Sequence, residues 1–297
     1  MTDPREKSIR TRDGLTLRTE AFGPAGGPPL LLVMGAMNPG LFWPRAFCER
    51  LATAGFLVIR YDHRDTGGSS TVDYAAHPYT LTELTDDALA ILDGYRITRA
   101  DVMGLSMGGY IAQLLAIHHP ARVANLVLLS TTADPRPYMA ATTGGDASGF
   151  ALPPPTAAYL AQVAIARTTL PTSREAALWM ILDGWRATHG GSLPFPEDET
   201  MALIREGAAL VRDPFAAFHH AAAVATSTPW IDQLDRITAR TLVIHGRADP
   251  CLPLAHGEYL AAHIRGAKLV TFDMGHMFPL VLAGEISDLV GMFVAGR

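Results

Sequence analysis

The chain reads as an α/β protein: a mostly parallel sheet with helices on both faces and a helical lid inserted after a core strand. Three observations carry this expectation. Short continuous apolar runs, among them Leu30-Leu31-Leu32-Val33-Met34 and Asn125-Leu126-Val127-Leu128-Leu129-Ser130, have the length of strands buried on both faces. Such runs alternate with stretches of helical apolar spacing, the succession that gives parallel strands joined by crossover helices. From about Thr131 to Trp230 the alternation stops, and helical patterns follow one another with no buried strand among them. At 297 residues the chain suits one wound core with an insertion. The expected division is a core from 1–130 and 231–297 and a helical cap from 131–230.

Taken in order, Lys7 to Arg12 and Leu15 to Phe22 alternate apolar and polar side chains across Asp13-Gly14, a two-residue hairpin signal. The Leu30–Met34 strand ends in the loop Gly35-Ala36-Met37-Asn38-Pro39-Gly40, at the carboxyl edge where open α/β sheets place ligands. Pro44 to Ala54 has helical spacing, and Phe56 to Tyr61 returns as a strand. The loop Asp62-His63-Arg64-Asp65-Thr66-Gly67-Gly68-Ser69-Ser70 follows, with Asp62 and Asp65 read as structural acids. Thr80 to Tyr95 is helical, with Thr82 or Thr85 as its capped start. Ala100 to Leu105 is a strand running directly into Ser106 and then into the helix-like Tyr110 to Ile117.

In the insertion, the spacing predicts helices over Ala157 to Thr168, Ser173 to Thr188, Glu197 to Val211 and Pro214 to Ala225, the second capped by Thr172 or Ser173. The core resumes with the strand Arg240 to His245, a helix from Leu254 to Ile264, the strand Ala267 to Phe272 and a last helix near Val281 to Val294.

Bulk properties narrow the function classes. Hydrophobic content of 48% with 18% charged residues describes a globular chain with ample core. A net charge of -5 offers nothing to a phosphate backbone, so nucleic acid is not an expected partner. The N-terminal Met1-Thr2-Asp3-Pro4-Arg5-Glu6-Lys7-Ser8 is polar where a signal peptide needs an apolar core, and no stretch has the length of a membrane span. Cys48 and Cys251 lie in no metal or redox spacing and read as reduced thiols of a cytoplasmic protein.

The chemistry centres on Gly104-Leu105-Ser106-Met107-Gly108. A serine at the tip of a strand-to-helix turn this sharp needs residues without Cβ two positions either side, and the first amides of the next helix lie beside it. A serine hydroxyl needs an adjacent base, usually an imidazole oriented by a carboxylate. Asp249 stands just past one strand and His276 in the loop after the next, both at the sheet edge that carries Ser106; Asp134 is the rival acid. For the oxyanion, the Met107 amide is one candidate donor, and Ala36 is preferred over Gly35 and Met37 for the other. Met37 and Met277, with Trp179, Trp185, Phe215 and Phe218 of the insertion, are the candidates for an apolar substrate pocket. His118 and His119 read as surface residues, His63 and His245 as loop packing, and His219 and His220 as either solvent-facing or pocket-lining. No metal or organic cofactor is required, since the elbow glycines flank a serine rather than a phosphate site.

With Gly246-Arg247-Ala248-Asp249-Pro250 and Gly275-His276-Met277 following the elbow in that order, nearly the whole chain resembles an α/β-hydrolase. Leu32-Val33-Met34-Gly35-Ala36, Ile59 to Gly67 and Gly104 to Gly108 are similar to the aclacinomycin methylesterase type, which cleaves the carboxymethyl ester of anthracycline polyketides. The resemblance implies Ser106, Asp249 and His276 as a triad, with the Ala36 and Met107 amides as the oxyanion hole. Ala36 stands where those methylesterases have a second glycine; an amide donates equally well from alanine. The expected function is ester hydrolysis through an acyl-enzyme on a small-molecule ester. Carbon–carbon bond hydrolysis or perhydrolysis on the same triad, and a ligand receptor without turnover, are the alternatives.

Overall fold

Eight strands form one sheet: β1 (Arg5–Arg10), β2 (Thr16–Phe22), β3 (Pro29–Val33), β4 (Leu57–Tyr61), β5 (Ala100–Leu105), β6 (Val123–Leu129), β7 (Arg240–Gly246) and β8 (Lys268–Phe272). Their order is β1-β2-β4-β3-β5-β6-β7-β8. The first two pair antiparallel, β2 meets β4 antiparallel, and every pairing from β4 to β8 is parallel. The computed structural model describes residues 3–169 and 171–296; Met1 and Thr2 of the polar N-terminal stretch, with Leu170 and Arg297, lie outside the described residues.

Ten α-helices complete the described structure: α1 (Arg45–Thr53), α2 (Leu81–Gly94), α3 (Met107–His118), α4 (Arg136–Thr142), α5 (Ala157–Thr168), α6 (Arg174–His189), α7 (Glu197–Leu210), α8 (His219–Thr226), α9 (Ala255–His263) and α10 (Ala283–Val294). Side chains alternate across each strand, so the sheet feeds two cores. Leu31, Val33, Ile59, Val102, Leu128 and Val243 pack with residues of α2, α3 and α9. Leu30, Leu32, Val58, Met103, Val127 and Ile244 pack with α1 and α10 on the other face. Burial of every strand from β3 to β7 on both faces explains why those segments carry continuous apolar runs.

Helices α4 to α8 all fall between β6 and β7, with no strand among the described residues there. On α6 the buried positions Leu178, Leu182, Trp185 and Thr188 recur at helical spacing. Leu178, Leu182 and Trp185 join Met201 and Ile204 of α7 in the second core, so this segment shares apolar packing with the sheet.

Four local expectations need correction. The first hairpin is wider than two residues, because Thr11 N–H donates to Leu15 C=O (2.9 Å) and its hydroxyl accepts from Leu15 N–H (2.9 Å). The cap of α2 is Thr80, whose backbone N–H donates to Glu83 (2.7 Å) in a capping box; Thr85 is buried inside the helix. Helix α4 stands ahead of the four helices expected in the insertion and adds a fifth to them. Before α8 the chain makes a short 3₁₀ turn, Ala216–Phe218, after the Asp213 carboxylate accepts from Phe215 N–H (2.8 Å), so a single helix from Pro214 does not form.

Candidate active site

β5 delivers Ser106 and α3 begins at the next residue. Ser106 has φ +51° and ψ −119°, a conformation that costs an L-residue energy and persists because its neighbours over-determine it. A Cβ on Gly104 would lie 2.2 Å from Gly108 C=O, and one on Gly108 would lie 2.0 Å from Val33 C=O. The backbone of Ser106 is tied down by Ser106 N–H donating to Leu129 C=O (3.0 Å) and by Thr131 Oγ1 donating to Ser106 C=O (2.8 Å).

His276 reaches this serine from the loop after β8, with Nε2 3.0 Å from Ser106 Oγ and Nδ1 2.8 Å from Asp249 Oδ2. An ionised carboxylate can only accept, so Nδ1 carries the proton and Nε2 presents its lone pair to the hydroxyl. Asp249, after β7, is buried; its other oxygen accepts from Cys251 N–H (2.9 Å) and Leu252 N–H (2.8 Å). Burial alone would push its carboxyl up, but His276, His245 and the Leu252 amide outweigh that and hold it below the ordinary value. The nearby His245 is itself kept low by burial and donates from Nε2 to Leu252 C=O (2.7 Å). Asp134 instead pairs with Arg136 (2.7 Å).

The His276 loop rests on the end of α6: Gly275 N–H donates to His189 C=O (2.5 Å) and His276 N–H to Thr188 C=O (2.7 Å). These two carbonyls, among the last of the helix, thereby find partners. A Cβ on Gly275 would lie 2.1 Å from Thr188 C=O, so this close approach needs glycine.

A cavity of about 190 Å³ opens beside Ser106 and His276, walled by Ala36, Met37 and Met107, by Tyr110, Tyr138 and Tyr159, and by Met277. Among the described residues the Ala36 and Met107 amides donate to no protein acceptor, whereas the Met37 amide donates to His220 Nδ1 (3.0 Å). Met37 and Met277 line the cavity; Trp179, Trp185, Phe215 and Phe218 do not. Trp185 is buried against Phe42, ring centroids 4.8 Å apart, and so fastens α6 to the core. Trp179, one residue beyond the buried Leu178, is rotated about 100° off that face and is 43% exposed. Phe215 and Phe218 flank the buried Ala216 and point outward, 74% and 59% exposed.

Their places are taken by residues that sequence reasoning passed over. Tyr138 on α4 and Tyr159 on α5 share a hydroxyl–hydroxyl hydrogen bond of 3.0 Å at the cavity wall. Cys251 lies beside them, its thiol pushed well up by burial. Asp249, Cys251 and His276 bring three metal-type donor atoms within 4.8 Å of one another, but carboxylate and imidazole here satisfy each other. A tyrosine four residues after an acid, or at the start of an Ala-rich helix, carries no pattern that marks it as pocket-lining. Of His219 and His220, the second is buried at the cavity and the first bonds Asp65 (3.1 Å).

The profile of the alpha/beta hydrolase fold family matches residues 28–281. The chain belongs to that family and is a hydrolase. Over 278 residues it is 37% identical to the rhodomycin D methylesterase DnrP of Streptomyces peucetius, covering 92% of each chain, and the same figures hold for DauP of Streptomyces sp. (strain C5). Among solved structures, a hydrolase from Pseudomonas aeruginosa PA01 superposes with a TM-score of 0.73 at 28% identity, covering 99% of both chains. No described helix is long and apolar enough to cross a membrane.

Proposed function

We propose that the protein is a serine carboxylic-ester hydrolase that removes the methyl group from the ester of a bulky, largely apolar polyketide of the anthracycline kind. One observation carries the reaction: Ser106 Oγ, the His276 ring and the Asp249 carboxylate form a continuous hydrogen-bonded chain, 3.0 Å and 2.8 Å, at a cavity with mainly apolar walls. The substrate class is supported by the 37% identity to two rhodomycin D methylesterases along nearly the full chain.

In this reading Ser106 Oγ attacks the ester carbonyl carbon while its proton passes to His276 Nε2, and Asp249 stabilises the resulting imidazolium. The tetrahedral oxyanion is met by the Ala36 and Met107 amides. Collapse expels methoxide, which leaves as methanol with the proton from His276. Water then attacks the acyl-enzyme with His276 as base, releasing the free acid and restoring Ser106. In this reading the ester sits in the cavity beside Ser106 and His276, against the rings of Tyr110, Tyr138 and Tyr159. Residues 131–230 supply Tyr138, Tyr159 and His220 to its wall and act as the cap over the substrate.

The test is a panel of methyl, aryl and lactone esters, polyketide methyl esters included, with product masses recorded for the parent and for Ser106→Ala. Methanol plus free acid from the parent, and neither turnover nor fluorophosphonate labelling in the variant, are the expected results. Undiminished turnover by Ser106→Ala overturns the serine mechanism, and masses that show a broken carbon–carbon bond overturn the ester reading.

A further inference from the structure

We propose that His220, on the first turn of α8, is the positioning residue that sets the oxyanion loop, an inference that rests on the serine-hydrolase reading above. Its ring is completely buried at the edge of the cavity and both nitrogens are engaged. Nε2 lies 2.9 Å from the Arg64 carbonyl, an acceptor, so Nε2 carries the proton. Nδ1 is therefore a lone pair, and it accepts from Met37 N–H at 3.0 Å. A ring with both nitrogens occupied by backbone groups is not placed to shuttle protons. It is placed to hold a peptide.

The peptide it holds is under strain. Met37 has φ +66°, in the left-handed region that a side chain such as methionine seldom adopts. Its N–H and the Ala36 carbonyl belong to one peptide plane, and that plane is gripped at both ends: His220 Nδ1 takes the N–H, and Asn38 Nδ2 donates to the Ala36 carbonyl at 2.9 Å. Two residues earlier, His63 Nε2 bonds the Met34 carbonyl at 2.8 Å. Without the acceptor on His220 only Asn38 holds the plane, and relaxation of Met37 toward negative φ turns ψ of Ala36 in compensation and disturbs the loop at Ala36. Ala36 carries the amide assigned to the oxyanion. His220 thus removes the Met37 amide from the cavity and leaves the Ala36 amide facing it. The neutral ring suits the role, since a protonated Nδ1 could not accept; burial, with His63 beside it, pushes the His220 imidazole down to about 3.

Because the two ring nitrogens do different work, two substitutions separate positioning from packing. His220→Asn keeps an acceptor oxygen near the Nδ1 position and gives up the bond to Arg64. His220→Gln keeps a donor near the Nε2 position and gives up the acceptor for Met37. The assay is steady-state hydrolysis of a methyl ester together with inhibition by a trifluoromethyl ketone, whose serine adduct places an oxyanion in the same site. His220→Asn is expected to keep kcat within about threefold of the parent. His220→Gln and His220→Leu are expected to lose about 10²-fold in kcat, the scale of a lost oxyanion donor, with KM within about threefold and ketone affinity falling in step. Equal kcat in the Asn and Gln variants, whether both retained or both lost, overturns the proposal, as does a loss confined to KM. On the unsubstituted protein, NMR is expected to show a slowly exchanging Met37 amide coupled to His220 Nδ1; an unprotected amide overturns the proposal without any variant having to fold. Ser106→Ala in the same assay keeps the two readings apart, because its retained turnover would remove the serine mechanism whatever the His220 variants do.

Discussion

The elbow at Ser106 and the inserted segment 131–230 contribute to one cavity by different means. At the elbow the constraints are covalent and steric: positions 104 and 108 have no room for a Cβ, and the strand ends of β5, β7 and β8 bring Ser106, Asp249 and His276 to a single edge. The insertion acts instead through groups that any sequence possesses or that few would single out. The carbonyls of Thr188 and His189 at the end of α6 hold the His276 loop, and one imidazole on α8 accepts from the Met37 amide in the loop after β3. The core supplies the atoms of the proposed chemistry, and the insertion fixes the loops that carry them.

Asp249→Asn tests the core side of this comparison and has the largest expected effect. A carboxamide can turn its NH₂ toward the ring, forcing the proton of His276 to Nε2, where it faces Ser106 as a donor. Loss of about 10⁴ in kcat follows, with little change in substrate binding. Stopped-flow or long-incubation ester assays read it, and a loss below tenfold would mean that the carboxylate is not the orienting group.

That difference also explains what the sequence discloses. Gly104, Ser106 and Gly108 are legible because the steric demand of the turn leaves few residue types at fixed spacing. Asp249 and His276 are legible because strand ends can be located from apolar runs, and a parallel sheet puts alternate loops on one edge. Helices α5, α6 and α7 are legible to within a residue or two from their spacing. Which way their faces turn is not: Trp185 and Trp179 are both aromatic, both on α6, and only contact with Phe42 decides that one is an anchor and the other faces water. His220 is illegible for a related reason, since its partners are backbone groups of residues 37 and 64, far away in sequence and anonymous in type.

On the side of the insertion, Trp185→Ala removes the aromatic anchor between α6 and Phe42. A buried tryptophan truncated to alanine costs about 3–5 kcal/mol, measurable as a shift of the urea midpoint. Because α6 also carries the carbonyls that hold the His276 loop, kcat is expected to fall at temperatures well below the unfolding transition. Unchanged kcat in a destabilised variant would show the loop to be held by the core alone.

Acid is expected to act on stability through buried histidines of both regions. His63, His220 and His256 are pushed down by burial to about 4, about 3 and about 4. Each ties a core loop to another segment; His256 on α9, for one, lies 2.7 Å from Thr132 Oγ1 and 2.9 Å from the Pro153 carbonyl. In the unfolded chain these rings take up protons below about pH 6.5, whereas in the folded chain they do not. The unfolded state then binds more protons, so their contribution is complete above pH 6.5 and is lost as the pH falls toward 4, on the order of 3 kcal/mol for each fully buried ring. Urea midpoints should fall between pH 7.5 and 5, while imidazole C–H resonances of these three stay unshifted over that range. A ring among them that titrates near pH 6.5 would not be buried in the folded chain.

The smallest expected effect belongs to the outward aromatics. Trp179, Phe215 and Phe218 are 43%, 74% and 59% exposed and touch neither the cavity nor the sheet core. Replacing Trp179 or Phe215 with alanine should leave stability within about 0.5 kcal/mol, as for surface substitutions generally, and kcat within about twofold on a small methyl ester. The contrast with Trp185 on the same helix is the point of the measurement. If Trp179→Ala instead raises KM tenfold for a bulky polyketide ester while sparing the small one, α6 must turn its outer face to large substrates. The division between an anchoring face and a solvent face would then hold only without a bulky ester bound, and the pocket for that ester would be assembled from both.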